Sequence, residues 1–161
     1  MDDSSCHLFG VAESRLDDLV DDHLVKIKCY SIIRQDRNTT GGGVLLYVRN
    51  DLKAKILVKS KTTQKGKPKK VKFIICVVWS KRILPLLVAV IYRPPDVSLR
   101  DPKFVNALRN TCPEYSQKMI MGDLNANLLQ DSSDTRYLWD LIGNISLKVV
   151  NHGPTHFPVG G

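Results

Sequence analysis

The hydrophobic pattern along the chain is dominated by short apolar runs of about the length of β-strands. Two of these runs, VKFIICVVWS and LPLLVAVIYR, are apolar at nearly every position and are joined by the polar pair KR. Such continuous runs predict two neighbouring strands in the middle of a sheet, covered on both faces. The shorter runs LFGVA, KMIM and LKVVN predict further strands.

A hairpin is predicted for KCYSIIRQDRNTTGGGVLLYVRN, in which β-rich segments flank a Gly triplet. Glycine suits a turn that needs positive φ or a close backbone approach. Two segments, KFVNALRNTC and SSDTRYLWDLIGNI, have the spacing of amphipathic helices. The second presents Leu138, Leu141 and Ile142 on one face, and we expect its N-cap at Ser133 or Asp134. DDLVDDHLV fits either a helical turn or a loop.

Strands interleaved with few helices predict a layered α/β or α+β domain built on packed sheets. The 161 residues suffice for one such domain and are too few for two comfortable ones. The sequence closes on the loop residues PVGG without a further element. We therefore expect residues 1–161 to form one partial domain.

Composition adds a basic character to this picture. Lys and Arg outnumber Asp and Glu 24 to 16, for a formal charge of +8, and a positive charge concentrates polyanions such as nucleic acids around a protein. The Lys-rich segment 59–72 carries no large apolar side chain before Val71, so we expect a solvated loop. This loop serves either solubility alone or contact with a phosphate backbone, which adds affinity without sequence specificity.

The cysteines and histidines do not predict a zinc or redox site. The four cysteines are widely spaced and form no CxxC pair. His152 and His156 have a metal-like spacing, but Pro154 between them argues against a helix that presents both. The acidic start MDDSSCHLFG does not fit a signal peptide, and the apolar runs are too short to span a bilayer. We expect an intracellular protein, nuclear or cytoplasmic, with no membrane partner.

Polar side chains follow three of the predicted strands. Glu13 comes after LFGVA, Tyr92 after LLVAVI, and Asp123 with Asn125 after MIMG. Each alone fits an ordinary turn, since Gly, Asp and Asn are preferred there. Loops at strand ends are also where rigid scaffolds place catalytic groups.

In this order, the strand ends resemble the endonuclease/exonuclease/phosphatase superfamily, and specifically the apurinic-endonuclease-like domain of non-LTR (LINE-type) retrotransposons. The resemblance lies in five segments that follow one another along the chain. These segments are GVAESRL, IIRQDRNTTGGGVLLYVRN, VAVIYRPP, the GDxN-containing MIMGDLNANLL and the Pro-Thr-His segment VVNHGPTHF.

The resemblance implies a DNase I-like fold, a four-layer α/β/β/α sandwich of two packed sheets, incomplete at both termini. It also implies hydrolysis of DNA phosphodiesters with Mg²⁺ or Mn²⁺. A carboxylate-bound Mg²⁺ can neutralise the phosphate, activate water and assist the departing oxygen. The residues expected to contact DNA are Arg34, Arg37, Arg93, Asn127 and Thr155. The arginines also fit solvent-facing ion pairs beside strands, and Asn127 also fits an ordinary turn residue.

The catalytic roles follow the family pattern residue by residue. Glu13 is expected to bind the metal ion. Asp123 is expected to orient or deprotonate the attacking water, while Asn125 holds Asp123 and donates to the developing charge on the phosphoryl oxygen. Tyr92 is expected to stabilise a phosphate oxygen. The expected partners are DNA and the reverse transcriptase domain of the same polyprotein.

This sequence departs from the family pattern at both ends. Complete members begin with one more strand that bears an Asn, and they continue to strands that bear an Asp and an Asp-His pair. Without these strands we expect exposed sheet edges, marginal stability and very weak nicking. Two other functions remain open: a non-enzymatic, basic nucleic-acid-binding remnant, and a phosphoesterase of the same superfamily acting on another substrate.

Overall fold

The computed structural model describes residues 6–37, 42–61 and 69–150. These ranges contain seven β-strands, two α-helices and single 3₁₀ turns at Asp22–Leu24 and Cys112–Glu114. The strands are β1 (Leu8–Ala12), β2 (Tyr30–Gln35), β3 (Val44–Arg49), β4 (Lys53–Lys59), β5 (Lys72–Trp79), β6 (Leu86–Tyr92) and β7 (Gln117–Asp123). The helices are α1 (Pro102–Thr111) and α2 (Ser133–Asn144).

The strands form two sheets. The small sheet has the order β1-β3-β2 and is antiparallel throughout, which confirms the hairpin predicted around the Gly triplet. The large sheet has the order β4-β5-β6-β7. Its central strands β5 and β6 are the two apolar runs, paired antiparallel as predicted, while β6 and β7 are parallel and connected through α1.

The two sheets pack face to face through an inner core. Alternate residues of β3, β5 and β6 point into it, as the two-residue period of a strand requires. The inner core contains Val44, Leu46 and Val48 of the small sheet and Ile74, Cys76, Val78, Val88, Val90 and Tyr92 of the large sheet. Gly10 lets β1 of the small sheet approach β7 of the large sheet closely, because a Cβ at Gly10 would lie 2.4 Å from the sulfur of Met121.

The outer face of the large sheet is covered by both helices. Phe73, Ile75, Leu87, Ala89 and Ile91 pack there against apolar side chains of α1 and α2. Both helices begin at a capping side chain: Asp101 accepts a 2.9 Å hydrogen bond from the Lys103 N–H, and Ser132 accepts one of 3.1 Å from the Thr135 N–H. The N-cap of α2 is therefore Ser132, and the predicted caps Ser133 and Asp134 are its first two helical residues.

The outer face of the small sheet is covered by the segment between β1 and β2. The Tyr47 hydroxyl donates to the Val25 carbonyl at 2.6 Å, and the Arg34 guanidinium donates to the carbonyls of Asp17 and Val20. In the described residues this layer contains one 3₁₀ turn, Asp22–Leu24, which resolves the open choice for DDLVDDHLV. The fold is α+β on two packed sheets, as predicted.

Two expectations need correction. The connection between β5 and β6 spans residues 80–85 and not only the pair KR. The predicted strand LKVVN is absent in the described residues 147–150. Here α2 ends at Asn144 with its C-cap at Ile145, and Ser146 follows with φ 55. The N–H groups of Ser146 and Leu147 bond to the carbonyls of Gly143 and Ile142. This C-cap turns the chain and packs Leu147 onto the helical core, so the apolar side chain serves a helix end.

Among the described residues, no helix is both long enough and apolar enough to cross a membrane.

Candidate active site

Strands of both sheets end at one edge of the sandwich, where the predicted site residues lie. In the large sheet Tyr92 of β6 is in register with Asp123 of β7 on one side and with Lys72 of β5 on the other. Residues in register point to the same face of a sheet, so these three side chains share the face that packs on the small sheet. The parallel pairing of β6 and β7 is what brings Tyr92 and Asp123 together.

Glu13 reaches this edge from the small sheet. It follows β1 directly, with φ 56, and its Oε1 accepts a hydrogen bond of 3.3 Å from the Tyr92 hydroxyl. The Glu13 side chain is 41% exposed, and the Arg15 guanidinium lies 3.8 Å from Oε1. The carboxylate is thus oriented by Tyr92 and still open to solvent.

The Gly-rich hairpin holds the Glu13 loop in place. The N–H groups of Ser14 and Arg15 donate to the carbonyls of Gly43 and Gly42 at 3.3 and 3.0 Å. Gly43 has φ 86, and a Cβ there would lie 2.5 Å from the Ser14 Oγ. Positive φ and close approach, both expected for this turn, are therefore needed to seat the loop that carries Glu13.

Gly122 explains why a glycine precedes Asp123. Its φ is 130, and a Cβ at this position would lie 1.9 Å from the carbonyl oxygen of Ile91 on β6. Only glycine permits this conformation and contact. The glycine allows β7 to stay paired with β6 up to Asp123, so the carboxylate emerges beside Tyr92.

Asp123 and Asn125 contact each other. Asp123 Oδ1 accepts a 2.8 Å hydrogen bond from the Asn125 backbone N–H, and its Oδ2 accepts one of 3.2 Å from Asn125 Nδ2. Asn125 Nδ2 also donates to the Arg93 carbonyl at 2.7 Å. Both hydrogens of the carboxamide are thus directed to protein oxygens, and donation to a phosphate would require one of these bonds to open.

The Tyr92 hydroxyl is held in its protonated form. Burial raises the pKa of Tyr92, and the carboxylates of Glu13 and Asp123 raise it further, while the positive charge of Arg37 opposes them. The ring is only 6% exposed. Tyr92 therefore serves this site as a hydrogen-bond donor at neutral pH.

Lys72 belongs to the same edge, although the sequence placed it in a solvated loop. Its side chain is 0% exposed, and its Nζ donates to the Lys61 carbonyl at 2.7 Å. Burial lowers the pKa of Lys72 to about 8, and the charges of Arg37 and Lys70 add to the effect. The sequence feature that could have indicated its burial is its position, since this lysine is the first residue of β5 and directly precedes the apolar run.

The Lys-rich segment starts and ends at this edge. Lys59 is in register with Ile74, and Lys72 with Tyr92, so both described ends of the segment 59–72 lie beside the site. Residues 62–68 lie outside the described part of the chain. The described Lys69 is bound to Asp96, with 3.0 Å between Nζ and Oδ2.

The residues expected to contact DNA have different surroundings. Arg34 bonds to Asp22 and Asp36 and has a side chain that is 10% exposed. Arg93 is 3% exposed and bonds to groups of the protein. Neither guanidinium is directed to solvent.

The other expected DNA contacts differ in position, and Arg37 is near enough to the site for its charge to act on Tyr92 and Lys72. Arg37 lies against Gly42, and its buried Nε has no partner in the described structure. Asn127 is a turn residue whose Oδ1 accepts from the Leu129 N–H at 3.0 Å. Thr155 lies outside the described residues, as do His152 and His156.

The site residues can accommodate a hard divalent cation through few protein ligands. The described residues contain no group of three or more His, Cys, Asp or Glu side chains placed for a metal ion. Mg²⁺ is often held by one or two carboxylates together with water and substrate phosphate. The half-exposed Glu13 carboxylate fits that mode of binding.

The described chain has a DNase I-like fold, as the sequence resemblance implies. The endonuclease domain of TRAS1, a telomere-specific non-LTR retrotransposon, superposes with a TM-score of 0.55 at 12% identity, covering 79% of this chain and 58% of that domain. The human Nocturnin catalytic domain with bound sulfate superposes with a TM-score of 0.54 at 12% identity, covering 82% and 54%.

The chain thus spans little more than half the length of these two structures. No protein-family model matches the sequence, and no curated protein matches it either. At this identity the structural likeness is a likeness of fold.

Proposed function

We propose that this chain is a metal-dependent phosphodiesterase that nicks DNA, corresponding to part of a retroelement endonuclease domain. The observation that carries the proposal is the meeting of Glu13, Tyr92 and Asp123 at one edge, fixed by the register of β6 with β7 and by the hydrogen bond of Tyr92 to Glu13. The retroelement assignment rests on the segments IIRQDRNTTGGGVLLYVRN and VVNHGPTHF, and the fold shared with the TRAS1 endonuclease domain agrees with it.

Each residue has a role that its geometry permits. Asp123 orients the attacking water and accepts its proton as the new P–O bond forms and the bond to the 3′ oxygen breaks. Asn125 fixes the Asp123 carboxylate through two hydrogen bonds, one from its backbone N–H and one from its side-chain NH₂. Tyr92, kept protonated, turns its one hydroxyl proton from Glu13 to a phosphate oxygen as negative charge develops there.

Glu13 would hold Mg²⁺ or Mn²⁺, which when bound neutralises the phosphate and favours departure of the leaving oxygen. The two carboxylates thus have separate tasks. Both residues are exposed. Asp123 is engaged through both carboxylate oxygens by Asn125, while Glu13 accepts from Tyr92 through Oε1.

The expected rate of nicking is low. Among the described residues no histidine bonds to Glu13, Tyr92 or Asp123, so the described part of the site offers no imidazole for proton transfer or charge stabilisation. In a longer element, the nick would supply the primer for the reverse transcriptase domain of the same polyprotein. Such a task places the protein with nuclear DNA.

The +8 charge supports a second candidate, a nucleic-acid-binding protein without cleavage.

A plasmid-nicking assay distinguishes the two candidates. Supercoiled plasmid is incubated with the wild-type chain, with Asp123→Asn and with Asp51→Asn, in Mg²⁺, Mn²⁺ or EDTA. Asp51 is a matched control because its carboxylate pairs with Arg49 at the opposite end of the small sheet. We expect metal-dependent open circles from the wild type and from Asp51→Asn, and none from Asp123→Asn.

DNA binding is measured alongside. Metal-independent binding without any nick by the wild-type chain would overturn the endonuclease proposal in favour of the binding protein. Nicking that survives Asp123→Asn would show that the residues assigned here are wrong.

A further inference from the structure

The Arg93 guanidinium forms several hydrogen bonds that hold the loop that follows β7. It is buried and donates to four oxygens: the carbonyls of Leu124, Asn125 and Val97, and Oδ2 of Asp134 at 2.9 Å. The planar fork of an arginine can serve several acceptors in fixed directions, which a lysine cannot reproduce.

The backbone of Arg93 contacts the same loop. Its N–H donates to the Asp123 carbonyl at 2.8 Å, and its own carbonyl accepts from Asn125 Nδ2 at 2.7 Å. Arg93 therefore contacts Asp123, Leu124 and Asn125 in succession. It follows Tyr92 directly, so the catalytic strand end of β6 and the loop after β7 are bound together by one residue.

Asp134 extends this connection to helix α2. It lies in the first turn of that helix, where its carboxylate pairs with Nη1 of Arg93. The next residue, Thr135, donates from Oγ1 to the Asn127 carbonyl at 2.9 Å. The start of α2 thus holds the loop at a second point, two residues beyond Asn125.

We propose that Arg93 is a positioning residue for the nicking reaction, which together with Asp134 sets the place of the Asp123 and Asn125 side chains. This inference rests on the proposed function and gives Arg93 a different task from phosphate contact, since its guanidinium is directed to protein oxygens. Arg93 acts through the loop, and α2 supplies the counter-charge that keeps the guanidinium in place.

The test uses Arg93→Lys, Asp134→Asn and Asp134→Glu, with Arg49→Lys and Asp51→Asn as matched controls. Arg49 and Asp51 form a bidentate pair, with Nε to Oδ1 at 2.7 Å and Nη2 to Oδ2 at 2.8 Å, at the opposite end of the small sheet. For each variant, kcat and KM for plasmid nicking and the salt dependence of DNA affinity are measured.

We expect kcat to fall about a hundredfold in Arg93→Lys and about tenfold in Asp134→Asn, because small displacements of catalytic groups cost this much. KM and the salt slope should not change, Asp134→Glu should recover most of the activity, and the controls should match the wild type. A raised KM with kcat unchanged in Arg93→Lys would show a direct phosphate contact and overturn the proposal, because lysine keeps the charge but loses the planar fork of the guanidinium.

A second measurement separates this proposal from the proposed function. NMR of ¹⁵N-labelled protein reports the Asn125 backbone N–H and side-chain NH₂, whose bonds depend on the loop geometry. We expect shifted signals and faster hydrogen exchange at both groups in Arg93→Lys and Asp134→Asn but not in the controls. Unchanged Asn125 signals would overturn the positioning role, whether or not the wild-type chain nicks DNA.

Discussion

The Tyr92 hydroxyl donates to the Glu13 carboxylate across the interface of the two sheets, although 79 positions separate the two residues in the chain. This bond ties a residue of the large sheet to the loop that the Gly-rich hairpin holds in the small sheet. The candidate site is therefore a product of sheet packing, and neither sheet alone contains it.

Removing that hydroxyl should impair nicking without unfolding the protein. In Tyr92→Phe we expect activity to fall by about a hundredfold, the scale seen on loss of one donor to a developing charge. Tyr47→Phe is the matched control, since its hydroxyl bonds to the Val25 carbonyl on the outer face of the small sheet. Plasmid nicking measures both, and equal losses in the two variants would contradict a specific role for Tyr92.

Gly122→Ala should disrupt the end of β7. The new Cβ would meet the Ile91 carbonyl at 1.9 Å on a backbone with φ 130, so we expect a loss of at least about 2 kcal/mol in the free energy of unfolding. Urea denaturation measures this loss.

Gly143→Ala provides the control for Gly122→Ala. No atom lies within 4 Å of the position that its Cβ would occupy, and it is within α2, where alanine is favoured by roughly 1 kcal/mol. We expect this variant to be as stable as the wild type or more so. Equal destabilisation by the two substitutions would argue against the backbone described for Gly122.

The N-cap of α2 can be located by mutation. Ser132→Ala removes the acceptor of the Thr135 N–H and should cost about 1 kcal/mol of stability. Ser133→Ala, one residue later and already helical, should have little effect. Thermal or urea unfolding of the pair decides between them, and a larger effect at Ser133 would return the cap to the position expected from the sequence.

Lys72 should make stability depend on pH in a narrow alkaline window. Its pKa is about 8 in the folded chain and 10.5 ordinarily, so between these values the unfolded state binds more protons. The free energy of unfolding should therefore rise with pH above 8, by up to about 1.4 kcal/mol per unit. Below pH 8 both states are protonated and this rise is absent.

Above pH 9 the buried thiols work in the other direction. Burial raises the pKa of Cys76 from 9.0 to about 12, so the unfolded state loses its proton first and stability falls as pH increases.

The clearest test of the Lys72 prediction is therefore urea unfolding between pH 8 and 9. Lys72→Met should abolish the rise. Lys59→Met should retain it, because the Lys59 Nζ makes only an exposed hydrogen bond to the Arg34 carbonyl among the bonds described. A rise that persists in Lys72→Met would contradict this assignment.

The parts of the fold that the sequence predicts are those with strong local patterns. The continuous apolar runs of β5 and β6 admit few other interpretations, and the Gly triplet indicated both the turn and its backbone requirements. The prediction of a strand at LKVVN was wrong because a short apolar run is found at a helix end as well as in a strand. The turn at Ser146, a residue other than glycine that adopts positive φ directly after the C-cap Ile145, gave no signal in the sequence.

The candidate site was predictable where a motif carried it. Glu13, Tyr92, Asp123 and Asn125 follow apolar runs, and the structure brings all four to one edge. Lys72 was missed because it follows a run of lysines that indicates a solvated loop. The task of Arg93 could not be read from the sequence, since three of its four acceptors are backbone carbonyls, which every residue possesses.

The register of Lys72, Tyr92 and Asp123 across the large sheet also determines where the chain can change in length. A single residue inserted within β6 would rotate every side chain beyond it to the opposite face and turn Tyr92 toward the helices. Residues 80–85 connect β5 and β6 at the far end of the sheet, where added or lost residues leave that register intact. Length variation among natural variants should therefore accumulate at that end, away from the chemistry.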